Sequence, residues 1–394
     1  MLLGVLICLI DLRRLRLTGL GLIGFFTVYA SIVIPAISLF VPNETKALGL
    51  LEWVKVDLFH ELFILSLFIG WISAPKVKFI GRLRSDRFLT RAKFIHLVLL
   101  GWAVAQFMNT ALIASFFTKK YSIEGIGSIA YLRAILEFSV IPLLIISGNR
   151  KERSGIRKFY IGLLFVIIII QYLFFSSRGS LLLFLFTFFL HGRQNVHLKS
   201  IAFILLSFIL MQLLMVLRSG VSLSSAPEEV RYSYLQPLTA LNWHSYNKFE
   251  FVTSQENFTL MYGSTMIGWA IAPIPRGMWQ SKPLVSYGQY LGEQHFSRPK
   301  DRPGGGVPLG FPFEAYWNFG YLGIVIAFFY GVIVRLIDST LYYSRTHFKR
   351  LIFLLYFIPL TMGLYNGDLN RVMVGLIINS IGMLIFYKIR IIKC

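Results

Sequence analysis

Long apolar runs separated by short, mostly basic polar stretches set the pattern of this chain. Residues 18–41, 94–117, 158–175, 201–217 and 371–387 are the clearest runs. Each is long enough, as a helix, to cross about 30 Å of hydrocarbon. Apolar stretches at 59–74, 126–147, 179–190, 316–337 and 351–365 read as further spans. The pattern predicts an all-α polytopic membrane protein with about ten transmembrane helices, or about eleven with the N-terminal stretch. That stretch, MLLGVLICLIDLRRLRL, places its apolar run before its positive charges, the reverse of a cleaved signal peptide. No repeat of fixed period and no low-complexity tract interrupts the series.

Composition agrees with that reading. The 394 residues are 56% hydrophobic and 14% charged, and a soluble domain needs more charge to cover its surface. The formal net charge of +21 would suggest nucleic acid in a soluble protein. Its distribution says otherwise. Basic residues gather in short loops: Arg13, Arg14 and Arg16; seven between Lys76 and Lys93; Arg150 to Lys158; and Lys388, Arg390 and Lys393 at the C-terminus. Loops poor in Lys and Arg alternate with them, which marks the basic loops as cytoplasmic. Nucleic acid is therefore not an expected partner. Cys8 and Cys394 lie at opposite ends of the chain, so no disulfide framework or cysteine-based metal site is supported.

With basic loops inside, residues 1–217 form an N-terminal bundle, 218–315 one long outer segment, and 316–394 the C-terminal spans. The outer segment carries eight cations against seven acids, so it is not a polybasic tail. So long a segment without secondary structure would be unusual. QPLTALNWHSYNKFEF and TLMYGSTMIGWAIAP read as short helices on the membrane surface.

The chemistry on offer is cationic and lies at the outer face. Arg178 sits in the turn SSRGS, Arg218 ends a span, Arg371 begins the last span, and Arg276, Arg298 and Arg302 lie in the outer segment. Any one of these could simply snorkel to the headgroups. Positive-inside bias nevertheless disfavours arginine there, and the guanidinium fork matches phosphate oxygens bidentately. In PIPRGMWQSKP, 273–283, the prolines fix backbone shape. Trp279 would seat in the interfacial belt, presenting Arg276 and Lys282 at phosphate depth. Glu314 and Asn318 lie in GFPFEAYWNFGYLG, 310–323, among aromatic residues that suit sugar rings. Glu314 is a candidate general base, or a first-turn acid that favours the helix dipole. His295 and His244 are alternative proton carriers. Asp57, His60 and Glu61 are weaker candidates, and Arg133 and Glu137 read as an ion pair on one helical face. Walker A, HExxH, Asp-x-Asp and dinucleotide-binding patterns are absent from the sequence, so no cofactor or metal is expected.

SRGSLL at 177–182, PIPRGMWQSKP at 273–283, FEAYWNFGYLG at 313–323 and Arg371 at the start of the last span together resemble a known family. It is the bacterial O-antigen and oligosaccharide repeat-unit polymerases, the Wzy family. The layout of many spans with one large late outer loop is similar as well. The resemblance implies a metal-independent, GT-C-like glycosyltransferase of the bacterial inner membrane with its site facing the periplasm. It would transfer a growing glycan from undecaprenyl pyrophosphate onto a new lipid-linked repeat unit, to build O-antigen-like surface polysaccharide. Arg178, Arg276, Lys282, Glu314, Asn318 and Arg371 are the positions the resemblance carries over. Implied partners are undecaprenyl-pyrophosphate-linked oligosaccharides and membrane lipids, with a chain-length regulator protein left open. One departure is plain. Some members carry an Arg followed at a fixed spacing by Gly, and here Gly310 follows Arg298 one residue too far.

The expected site thus has Arg178, Arg218, Arg276 and Arg371 on pyrophosphate, Lys282 assisting, and Glu314 or His295 as base. Two rival readings are an O-antigen ligase and a transporter or flippase of lipid-linked glycans. A transporter should carry charge near the middle of several spans. Here Arg133, Glu137 and Arg335 are the main charges away from span ends.

Overall fold

The computed structural model of the chain describes residues 50–83, 259–271, 274, 278–281, 310–343 and 369–393, with scattered residues within 21–24, 155–163 and 351–360. This part is mostly helical. In chain order it holds α1 (Leu50–Ser73), β1 (Val77–Leu83), α2 (Gly268–Ile271), α3 (Phe311–Phe319), a 3-10 turn (Gly320–Leu322), α4 (Gly323–Tyr343), α5 (Leu369–Phe386) and β2 (Tyr387–Lys393). Two stretches, Val54–Ser73 and Phe311–Leu341, are helices long and apolar enough to cross a membrane.

α1 and α4 pack side by side, and the spacing of their residues explains how. Val56, Phe59, Phe63, Leu67, Gly70 and Ala74 recur at three- and four-residue intervals and are all buried, forming one stripe along α1. Val54, Leu58, Leu65, Ile69 and Ile72 are exposed on α1. On α4 and the turn before it, Leu322, Val325, Phe329 and Ile333 are exposed in the same way. Apolar side chains pointing away from the protein are what a lipid-facing surface requires. Lipid tails remove the hydrophobic incentive for helices to associate, so close packing and interhelical hydrogen bonds must hold them. Gly70 lies against the backbone of Phe328, and Gly331 lies against the backbone of Leu67 and Trp71. Ser66 Oγ donates to the Ile324 carbonyl at 2.7 Å, and Trp71 Nε1 donates to Asp338 Oδ2 at 2.8 Å. The contacts advance along both helices together, so the two run parallel.

β1 and β2 form an antiparallel ribbon in register from Val77↔Lys393 to Leu83↔Tyr387. Phe79 N donates to Thr340 Oγ1 at 3.1 Å, which ties the ribbon to the late part of α4. α1 and α5 both run directly into this ribbon, so α1, α4 and α5 all point towards it. That common sense is the one expected of 59–74, 316–337 and 371–387. α5 is further bound through Asn379 Nδ2 to the Leu355 carbonyl at 2.8 Å and Tyr356 to Ser380 at 3.0 Å.

Three expectations change. The all-α class omits the ribbon: VKFIGRL and YKIRIIK are β-capable, but each finds its partner far away in the sequence. α1 begins at Leu50, nine residues ahead of the expected span 59–74. The expected span 316–337 is replaced by α3, a break and α4. Gly320 supplies the break at φ 57°, a backbone conformation natural only to glycine with its ψ of −137°. α4 alone has 21 residues, about 31 Å of helix and enough to cross hydrocarbon. α3 is therefore an additional element at its leading end, and the boundary expected at 315/316 falls inside it. Most of the remaining expected spans, and the helix expected over QPLTALNWHSYNKFEF, lie outside the described residues.

Candidate functional site

At the leading ends of α3 and α5, three stretches distant in sequence meet around one carboxylate. Pro312 sits in the first turn of α3, where its missing N–H costs nothing. Glu314 follows in the same turn and is fully buried. Its Oε1 accepts a hydrogen bond from Thr265 Oγ1 at 3.0 Å. Its Oε2 accepts from the backbone N–H of Leu369 at 3.0 Å. Leu369 is the first residue of α5, so its N–H has no partner within that helix. The acid expected to favour its own helix dipole thus satisfies the start of a different helix.

Asn318, one turn on, is also fully buried. Its Nδ2 donates to Thr265 Oγ1 at 2.6 Å and to the Glu314 carbonyl at 2.7 Å. Its Oδ1 has no donor among the described residues. Asn370 Oδ1 accepts from the Trp269 N–H at 2.9 Å, and its Nδ2 donates to the Thr265 carbonyl. The cluster is closed by backbone. Met261 N and Tyr262 N donate to the carbonyls of Trp317 and Asn318, each at 3.0 Å, which satisfies two of the groups left open where α3 ends. The turn between them runs through Tyr262 at φ 45° and Gly263 at φ 86°.

The stretch 261–271 is therefore not a surface layer. Residues 261–271 are clipped to α3 on one side and to the first turn of α5 on the other. TLMYGSTMIGWAIAP was expected as a surface helix. It is instead a buried turn at Thr265 and Met266 followed by the four-residue α2, with Tyr262 and Ile267 exposed.

Of the predicted site residues, Glu314 and Asn318 come together, and the backbone of Arg371 lies one residue beyond Asn370. Trp279 is half-buried, with its Nε1 donating to Ser281 Oγ at 3.0 Å. Arg178, Arg218, Arg276, Lys282, His295, Arg298 and Arg302 lie outside the described residues, as do His244, Arg133 and Glu137. His60 is engaged with the Val56 carbonyl at 3.0 Å along α1. Sequence reasoning missed Thr265 and Asn370. Both are short polar residues beside aromatic or apolar runs, and only the fold shows that they share a carboxylate's surroundings. Among the described residues no group of acids, histidines and cysteines could hold a metal ion.

The arrangement braces more than it reacts. One buried carboxylate, one hydroxyl and two carboxamides lock α3, α5 and residues 261–271 at fixed separations. Asn370→Ala would strip partners from two backbone groups, at about 1–3 kcal/mol each. The expected result is a lower melting midpoint in detergent, read by scanning fluorimetry. An unchanged midpoint would mean that the brace is not holding these segments.

No protein-family model matches the chain, and neither does any curated protein or solved structure.

Proposed function

We propose that the chain is a polymerase of lipid-linked oligosaccharides that works at the outer face of the bacterial inner membrane. One observation carries this reading. Two of the four stretches behind the family resemblance, and the segment that leads into a third, are joined by the Glu314 brace. These are FEAYWNFGYLG, the start of the last span with Arg371, and the segment that leads directly into PIPRGMWQSKP. Residues that must act on one substrate have to be held together, and the brace gives that holding a physical form.

In the proposed reaction, a hydroxyl on the incoming repeat unit attacks the anomeric carbon of the growing chain. A glycosidic C–O bond forms and the bond to the pyrophosphate oxygen breaks. The hydroxyl proton passes to a base, and undecaprenyl pyrophosphate leaves as an anion. Arg178, Arg218, Arg276 and Arg371, with Lys282, would stabilise that anion in place of a metal. Both oxygens of Glu314 already accept hydrogen bonds in a fully buried position. That occupancy favours a positioning role for Glu314 and leaves the base to His295.

The transporter reading gains nothing from α4. Its two charged residues are Arg335 and Asp338. Arg335 stacks over Trp71 with its Cζ 4.0 Å from the ring centroid, and the same indole donates to Asp338. Such charges are held by a tryptophan rather than spaced along a path.

Deleting the gene and separating the surface polysaccharide on a gel tests the reading. A polymerase mutant leaves single repeat units attached. A ladder of wild-type length would overturn the proposal, complete loss of attached units would indicate a ligase, and loss of exported units a flippase.

A further inference from the structure

The ribbon of β1 and β2 takes no part in the proposed reaction and lies at the opposite ends of α1 and α4 from the brace. Its register has a consequence for charge. Lys78↔Ile392, Ile80↔Arg390 and Arg82↔Lys388 are paired positions, and alternate pairs of an antiparallel ribbon belong to one face. One face therefore carries four cationic positions and two isoleucines, and neither strand contains an acid. Lys388, Arg390 and Ile80 are exposed. On the alternate face Tyr387 is buried, Val77, Phe79 and Ile389 are half-buried, and Ile391 is exposed.

Two features separate this from the ordinary excess of basic residues in cytoplasmic loops. That excess needs only charge somewhere in a loop. Here two basic segments far apart in the sequence are fixed in one register, with Arg82 directly across from Lys388. Like charges directly opposite destabilise a strand pair, so an anion lying over the face would relieve a built-in repulsion. The second feature is position. α1, one of the helices able to cross a membrane, ends at Ser73, four residues before β1 begins, and β2 follows Phe386 without a gap. The ribbon therefore leaves the bundle at headgroup depth. Isoleucines set among the cations suit a surface that is charged outside and apolar just beneath.

We propose that this ribbon face is a docking surface for the phosphodiester headgroups of anionic phospholipids in the adjacent leaflet. The inference rests on the membrane-crossing character of α1 and α4 and not on the polymerase reading. It applies equally if the chain catalyses something else.

The test uses the purified full-length chain in detergent mixed with phosphatidylcholine or phosphatidylglycerol, with bound lipid counted by native mass spectrometry. The chain should retain phosphatidylglycerol in preference to phosphatidylcholine, and the preference should weaken as salt rises. K78Q/R82Q/K388Q/R390Q should lower that preference by at least roughly tenfold. The charge-conserving K78R/R82K/K388R/R390K should keep it. If the fourfold glutamine variant does not fold, K388Q/R390Q, at exposed positions, decides by the same criterion. An undiminished preference in the glutamine variants would overturn the proposal. Displacement of the lipid by millimolar inorganic phosphate would overturn it too, by showing a soluble-phosphate site rather than a membrane surface.

Discussion

Gly331→Leu is expected to leave no folded protein in the membrane extract. A Cβ built on Gly331 would collide with the Leu67 carbonyl and stand 2.9 Å from both the Leu67 carbonyl carbon and the Trp71 nitrogen. These are backbone atoms inside α1, so they cannot swing aside as a flexible side chain would. Relief requires prising α1 from α4. That would also stretch the Ser66–Ile324 and Trp71–Asp338 hydrogen bonds. Overpacking against side chains costs about 1–3 kcal/mol, and a rigid backbone clash at the centre of the interface should exceed that. The margin of a native protein is only about 5–15 kcal/mol. Gly70 faces the same obstacle from the other side, at the Phe328 carbonyl. Gly375 provides the control: it lies within α5, and an added Cβ meets nothing within 4 Å. Gly375→Ala should be neutral or stabilising by up to about 1 kcal/mol. Size-exclusion profiles of detergent extracts and melting midpoints read both variants. A Gly331→Leu protein that melts like wild type would show that α1 and α4 do not pack through these glycines.

The long helices were legible in the sequence because a membrane span is a local signal. Twenty apolar residues in a row are visible without knowing what packs against them, and α5 was placed within two residues at its start. The division of α3 from α4 was less legible, since Phe311–Leu341 is apolar enough as a whole to read as one span and it is Gly320 that divides it. The ribbon was hidden for a different reason. VKFIGRL follows one span and YKIRIIK follows another, and each alone reads as a basic loop. Strand pairing between segments far apart in the sequence is a long-range fact that composition does not carry.

The site shows the same division. Glu314 stood out because an acid entering an apolar stretch is conspicuous. Its neighbours did not stand out, because Thr265 and Asn370 are ordinary polar residues until the fold brings them to one carboxylate. Its partner is not legible either: a first-turn acid suggests only the dipole of its own helix, while the structure gives it the first N–H of α5.

That partner determines what Glu314→Gln should do. The amide keeps one oxygen but replaces the other with a donor, so either Thr265 Oγ1 or the Leu369 N–H loses its acceptor. Leaving one buried group unpaired costs about 1–3 kcal/mol, which the fold should survive. Glu314→Ala removes both acceptors at once and should cost more, about 1–3 kcal/mol for each of the two buried groups left unpaired. Under the proposed function, the Gln variant should polymerise about a hundredfold more slowly. The start of α5 is no longer pinned, and an error near 1 Å in the placement of Arg371 is enough for a loss of that size. The pH profile separates positioning from proton transfer. If Glu314 only positions α5, the Gln variant keeps the wild-type profile at a lower height. If Glu314 is the base, the limb that reports its ionisation disappears. His295→Gln should behave in the opposite way, with a wild-type melting midpoint and a lost limb. A Glu314→Gln protein with wild-type rate and wild-type melting would remove the carboxylate from both roles, and with it the reason for locating the site where α3, α5 and residues 261–271 meet.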